Sequence, residues 1–416
     1  MIAPAPQPTT GSLLLRLTYL VGAAALFAVT WKLWTPQTAF PRVPLLAFAR
    51  SAPDWCDWLF VGIGAIGWAL GVVRGSHPSG RWGLIGFAIA LGGLIVLDQH
   101  RFQPWAYQTL LAALLLACLP PAPLRFWLAV LTIGVYTYSA ISKLDHSFLY
   151  GIGQQFLQTL VGFVGLQTDL WPKEVRIAGA ACFPSVELLI ALALCFRRTR
   201  LVGLCGAILM HAATILILGP WGLAHRPGVL LWNACFIAQD FLLFGPRWLV
   251  GTASSDSRSV VLKLLGLLAR LAVALAVTLP AVEPWGLWDH WPSWGLYAGH
   301  VERVSLRIEQ SAAEKVPSDM QPFLQTDKAD AGWSWLRLDR WSLAAVDAPI
   351  YPQARFELGV AWNVIETTPL PDREFVIVVE TAANRWTGTR TRTELRTRDE
   401  IARYAEQFWF NCRGRN

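Results

Sequence analysis

The chain has 416 residues, of which 54% are hydrophobic and only 15% charged, with a mean hydropathy of +0.40 and a formal net charge of +7. A soluble domain carries about a quarter charged residues, so an ordinary cytosolic enzyme, a disordered chain and a collagen-like chain are excluded, and a membrane protein is indicated. The 22 Trp and 33 Gly suit that class, because Trp gathers at bilayer interfaces and Gly is tolerated in membrane helices.

Charge divides the chain. Residues 1–280 hold 19 Lys/Arg against 9 Asp/Glu, whereas residues 281–416 hold 16 against 19. The expected architecture is an all-α polytopic membrane bundle followed by a small α+β extramembrane domain. Residues 1–280 form the transmembrane helical domain, 281–299 a Trp/Pro-rich interfacial linker, and 300–416 an extracytoplasmic α+β domain. The basic excess then reads as a membrane-topology signal. No Lys/Arg stripe with interleaved aromatics is present, so nucleic acid is not an expected partner.

Apolar runs near the length of a bilayer crossing fall at roughly 12–33, 57–74, 82–98, 105–119, 124–144, 175–196, 201–219, 228–245 and 260–280, giving about nine transmembrane helices. The run 148–166 carries Gln154, Gln155 and Gln158 and reads as a re-entrant or interfacial helix. The densest basic turn is Arg197, Arg198 and Arg200. Placing it in the cytoplasm also puts Arg74, Arg81, Arg125, Arg247, Arg258 and Lys263 there. Residues 281–416 then face the extracytoplasmic side of a cell inner membrane. Cys118, Cys182, Cys195, Cys205 and Cys235 lie inside apolar runs and read as small buried hydrophobes. Cys56 and Cys412 lie outside them, where a disulfide stays open.

Charge in hydrocarbon costs at least about 2.5–3.5 kcal/mol on insertion scales, so intramembrane polar groups need a reason. Glu187 and His211 sit midway along the sixth and seventh spans, where consecutive antiparallel helices bring them to one depth and let them share a proton. Asp240 lies near the cytoplasmic end of the eighth span and reads as a snorkelling anchor; Asn233 reads as a cap or bridge. At the external ends, Asp98-Gln99-His100-Arg101 and Tyr136-x-Tyr138-x-x-x-x-Lys143-Leu144-Asp145-His146 would bring Asp98, His100, Arg101, Lys143, Asp145 and His146 to one rim. A lysine partly removed from water there is poised to act as a base.

Residues 281–299, with Trp285, Trp288, Trp291 and Trp294, read as an interfacial collar. Alternation then predicts strands at 301–309 and 333–341; the apolar run 375–380 reads as a third, with 387–396 as its partner. Helices are predicted at 351–364 and 398–410. The sequence contains no HExxH, GxSxG, P-loop or CxxCH motif. His290 and His300 are ten residues apart without clustered ligands, so no metal is expected.

The stretch Tyr136-Thr-Tyr138-Ser-Ala-Ile-Ser-Lys143-Leu144-Asp145, followed by Gly151 or Gly153, resembles the signature of the HTTM (horizontally transferred transmembrane) domain, whose family includes the vitamin K-dependent gamma-glutamyl carboxylases. Val186-Glu187-Leu188-Leu189, the Arg197–Arg200 turn and the His211 helix look like later parts of that domain. The resemblance covers roughly residues 15–245. It implies quinol-dependent chemistry with a membrane quinone or quinol as cofactor and Lys143 as the base. In that reading Asp145 and Asp98 tune Lys143, Glu187 and His211 form a deeper pair, and Tyr136, Tyr138 and His100 line the cofactor site. A related resemblance, to DoxX/MauE-like redox-associated membrane proteins, implies a non-enzymatic role in which the external domain is presented to a periplasmic or membrane protein partner.

Overall fold

The structure, a computed structural model, describes residues 10–245 and 259–415; Arg247 and Arg258, counted above toward the cytoplasmic side, lie outside them. The first half of the fold is helical: α1 (Thr10–Val29), a single turn α2 (Trp31–Trp34), α3 (Trp55–Arg74), α4 (Pro78–Leu97), α5 (Pro104–Cys118) and α6 (Pro121–Lys143). It continues through α7 (Gly153–Gly162), α8 (Lys173–Cys195), α9 (Arg200–Leu218), α10 (Pro227–Phe244) and α11 (Val260–Thr278). Each of the nine apolar runs is a helix. By length and composition seven can cross a membrane: α3, α4, α6, α8, α9, α10, and α11 with the 3₁₀ turn continuing it to Trp285. The apolar part of α1, Leu13–Val29, and α5 are shorter. The 15 residues of α5 span about 22 Å against a hydrocarbon core of about 30 Å. The expected nine crossings are therefore seven on length alone.

Proline sets several of the helix starts. α4, α5, α6 and α10 all begin on Pro, whose fixed φ suits the first turn and whose missing N–H has no intrahelical partner to lose there. Pro184 lies inside α8, so the carbonyl four residues before it loses its donor one turn ahead of Glu187.

The chain divides into two compact units. The helical unit comprises the described residues up to Val29, Gly62–Leu91 and Pro104–Gly299. In it α10 packs on α1 and α9, α8 on α6 and α9, and α11 on α5 and α6. At Gly134 a Cβ would come within 2.6 Å of Val277 Cγ1, so a glycine lets α6 and α11 close up. The Gln-bearing run is a π-helical turn, Phe148–Ile152, leading into α7. Phe156 of α7 packs with Ile217 and Leu218 of α9. In the Trp/Pro-rich segment, Trp294 is fully buried; it stacks on Tyr107 and donates to the Ala276 carbonyl at 2.9 Å. Trp285 is exposed.

The second unit comprises Thr30–Val61, Gly92–Gln103 and His300–Asn416. It holds β1 (Arg303–Glu309), β2 (Leu324–Thr326), β3 (Trp333–Leu336), α12 (Leu338–Val346), α13 (Ala354–Thr367), β4 (Phe375–Glu380), β5 (Arg392–Leu395) and α14 (Arg398–Ala405). The five strands form an antiparallel sheet in the order β2-β3-β1-β4-β5. Its register is fixed by Leu306 opposite both Leu336 and Ile377, and by Ile377 opposite Leu395. Val304, Leu306 and Ile308 of β1 alternate inward, and α13 lies against β1 and β4. The other side of α13 is covered too: a Cβ on Gly359 would meet the Cys412 carbonyl and Val43 at 2.9 Å. The expected strand 333–341 stops at Leu336, because α12 starts at Leu338 with Asp339 in its first turn, where a carboxylate favours a helix N-terminus. β2 was not anticipated.

All seven cysteines are free thiols, so no Cys56–Cys412 disulfide forms. Cys118 is buried as expected, but Cys182, Cys195 and Cys205 lie on exposed helix faces.

Candidate functional site

The helical unit concentrates its buried polar groups on the facing sides of α6, α8, α9 and α10. Along α6, Tyr136, Ser139 and Lys143 recur at i, i+3 and i+7, which stacks them on one face. Lys143 is 8% exposed, and its side chain turns back along the helix so that Nζ donates to Ser139 Oγ at 2.7 Å and to Glu187 Oε2 at 2.6 Å. Glu187 is thus the counter-ion of Lys143. The anticipated Glu187–His211 pair is replaced by this contact.

His211 belongs to a second cluster, and Tyr136 is its hub. Tyr136 Oη lies 2.7 Å from His211 Nε2 and in a short contact with Asp240 Oδ2. The second ring nitrogen, Nδ1, lies 2.7 Å from Asn233 Oδ1, and Asn233 Nδ2 donates to the Val229 carbonyl at 2.8 Å. That last bond fixes the amide orientation, so Nδ1 must carry a proton. Tyr136 then has one proton for two neighbours, and making both contacts hydrogen bonds requires one more. That proton sits either on Asp240, with a neutral imidazole, or on Nε2, with a carboxylate opposite; the cluster is neutral either way. Asp240, expected at the surface, has no exposed area. His211 packs flat on Phe236 at a ring-centroid distance of 4.9 Å.

The two clusters lie within electrostatic reach: Lys143 acts on His211, and Glu187 on Tyr136. A cavity of about 10 Å³ between α1, α5 and α10 is lined by Tyr19, Gln108, Thr109, Trp232, Cys235 and Gln239. Trp232 Nε1 donates to Gln108 Oε1 at 2.8 Å, and Gln108 Nε2 donates to Gln239 Oε1 at 3.1 Å. Sequence reasoning missed Asp240, Tyr19 and this glutamine pair. A polar residue one helical turn from a span's end looks like an anchor whether or not a partner helix covers it.

The other anticipated residues have local roles. Asp145 is buried and accepts from the Phe148 N–H at 2.6 Å, which caps the turn leading into α7. Tyr138, about 200° round the helix from Tyr136, is only part-buried. Asp98 and His100 belong to the second unit. Asp98 Oδ1 accepts from the backbone N–H groups of His100 at 3.1 Å and Val43 at 3.4 Å. Burial pushes its carboxyl up to about 6, against the opposing pull of Arg101 and those N–H donors. His100 Nε2 donates to the Pro349 carbonyl at 2.9 Å, and burial pushes the ring down to about 4, so it is neutral. Neighbouring Gln99 accepts from Arg355 and donates to the carbonyls of Pro44 and Asn411. The Asp98–Gln103 stretch, anticipated as part of a reactive rim, engages interior packing of the second unit.

No protein-family model matches the chain, and no curated protein or solved structure matches it either.

Proposed function

We propose that the chain is a multi-pass inner-membrane enzyme acting on a lipid-soluble quinol, with Lys143 as the base. One observation carries this reading: a buried amine and carboxylate 2.6 Å apart, each side chain a tenth exposed. Passing the Nζ proton to Glu187 Oε2 leaves an amine and a carboxylic acid with no net charge to bury. Ser139 holds Nζ in place meanwhile. The remaining exposure leaves the amine reachable by an apolar ligand such as a quinol. When bound, the quinol supplies an acidic hydroxyl and reducing electrons; Lys143 takes the hydroxyl proton onto Nζ. The resemblance of Tyr136–Asp145 to the HTTM signature agrees with this role.

The topology we favour keeps nine crossings. The second unit gathers 30–61, 92–103 and 300–416, and Gln99 bonds directly to Asn411, so these segments share one side of the membrane. Between the 92–103 segment and the tail lie α5, α6, α8, α9, α10 and α11. The chain returns to the same side when the number of crossings among them is even, which is met if α5 crosses with the other five. This side is opposite the Arg197–Arg200 turn, which makes it extracytoplasmic.

Lys143→Ala is expected to cut oxidation of a short-chain quinol by dissolved dioxygen, which gives quinone and hydrogen peroxide, by at least about 100-fold per folded protein. Because it strands Glu187 in the interior, Lys143→Met combined with Glu187→Gln serves as the charge-neutral control and should be folded and inactive. Retained turnover in either variant would refute the reading. A second reading, a non-enzymatic redox-associated or assembly protein of the DoxX/MauE kind, is favoured by Trp386 and Trp409, 81% and 90% exposed, which suit a partner surface. Its signature is a stoichiometric partner copurifying with protein that contains no quinone.

A further inference from the structure

We infer that Asp240, Tyr136 and His211 form a proton relay across α10, α6 and α9, within electrostatic reach of the Lys143–Glu187 pair. The argument is one of proton count and geometry. The three groups make two hydrogen bonds with two protons and can hold them in two ways. In one, Asp240 Oδ2–H donates to Tyr136 Oη and Tyr136 O–H donates to His211 Nε2. In the other, Tyr136 O–H donates to Asp240 and Nε2–H donates to Tyr136. Passing from the first to the second breaks the Oδ2–H and the original Oη–H bonds and forms a new Oη–H and an Nε2–H bond. One positive charge is thereby moved from the aspartate to the imidazole. Asn233 keeps the proton on Nδ1, so Nε2 is the nitrogen left to exchange. A purely structural cluster needs only one of these arrangements.

The groups come from three helices. Asp240 is four residues from the end of α10, whereas His211 is mid-way along α9, and Lys143 closes α6 at its opposite end. Both ends of the relay meet further polar groups. Asp240 Oδ1 is buried with no hydrogen-bond partner among the described residues. Asp240 and Tyr19 interact electrostatically, and Tyr19 borders the cavity that also touches Gln108 and Gln239. That cavity has about the room one water needs, with polar groups to hold it. At the other end the charges of Lys143 and Glu187 reach His211 and Tyr136. Draining the proton that Lys143 collects is the relay's task only under the enzyme reading above; the relay itself does not depend on it.

The test uses the full chain in lipid nanodiscs with ¹⁵N-labelled histidine, the His211 signals being identified by their loss in His211→Gln. In the wild type, Nε2 should resonate between its protonated and unprotonated positions, and an infrared carboxylic-acid band should vanish in Asp240→Asn. Asp240→Asn and Tyr136→Phe should each collapse Nε2 to a single state. With a short-chain quinol as substrate, both variants should lower turnover roughly tenfold or more and alter the solvent deuterium effect, with KM unchanged. An Nε2 signal identical in the wild type and Asp240→Asn overturns the relay. If Nε2 responds as expected while the wild type oxidises no quinol, the relay stands and the enzyme reading falls. If oxidation depends on Lys143 while Asp240→Asn changes neither rate nor Nε2, the relay falls and the enzyme reading stands.

Discussion

Each unit buries a group of charges, and the two groups behave differently. In the second unit, Asp57 is fully buried between Arg101 and Arg415, with Nη1 of each 2.6 Å from one of its carboxylate oxygens. Other guanidinium N–H groups go to carbonyls: Arg101 to Leu33 and Leu94, Arg415 to Ala52 and Pro53. Guanidinium does not release protons in proteins, so the two arginines keep their donors and the triad serves as a clamp. The helical unit uses a lysine, two acids, a tyrosine and a histidine, all of which can exchange protons. Burial is alike in both places. What separates a clamp from a reactive site is whether the donors can let go.

That contrast can be broken most directly at Asp57. Asp57→Ala takes their shared buried carboxylate from two buried guanidinium groups, and is expected to cost about 3–5 kcal/mol of stability in denaturant titration of the full chain. A loss below about 1 kcal/mol would mean that the clamp does not hold the second unit together.

A smaller effect comes from Glu357, a buried acid on α13 that accepts from the Val304 N–H at 2.6 Å. Burial pushes its carboxyl from the ordinary 4.5 up to about 8, against the opposing effect of that N–H. Between those values the folded state holds more protons than the unfolded state, so stability present below about pH 4.5 is lost as pH rises toward 8. His100, pushed down to about 4, acts in the other sense, its contribution falling as pH drops from about 6.5 to 4. Asp98, raised to about 6, offsets much of it. From pH 6 to 8 Glu357 should dominate. Thermal scans should show the midpoint falling over that range, and Glu357→Gln should flatten the slope. An unchanged slope in the variant would remove Glu357 as its source. The mildest expected change is Thr397→Ala. Thr397 Oγ1 caps α14 by accepting from the Glu400 N–H at 3.2 Å, and its loss should cost about 1 kcal/mol in the same denaturant measurement.

Hydropathy made the helices legible: each of the nine apolar runs is helical, alternation marked β1, and a short continuous apolar run marked β4. The Tyr136/Ser139/Lys143 face could also be read, because helical spacing is local. What could not be read is which distant segments meet. The periodicity of α10 does not say that Asp240 is covered by Tyr136, 104 positions away. Nor does the polar Asp98–Gln103 stretch announce that Gln99 bonds to Asn411, 312 positions on. Three-residue β2 is too short to alternate visibly, and the switch from β3 to α12 depends on where the chain turns.

The span between Asp57 and Arg415, 358 positions, sets a timetable for biogenesis. At about 5–20 residues per second of synthesis, the aspartate and its first arginine wait roughly 20–70 seconds at the ribosome before the second arginine exists. Throughout that interval the early loops have no finished domain to join. Assembly of this unit is therefore a late event, and a pulse-labelled chain should gain protease resistance in this unit only after its synthesis has ended.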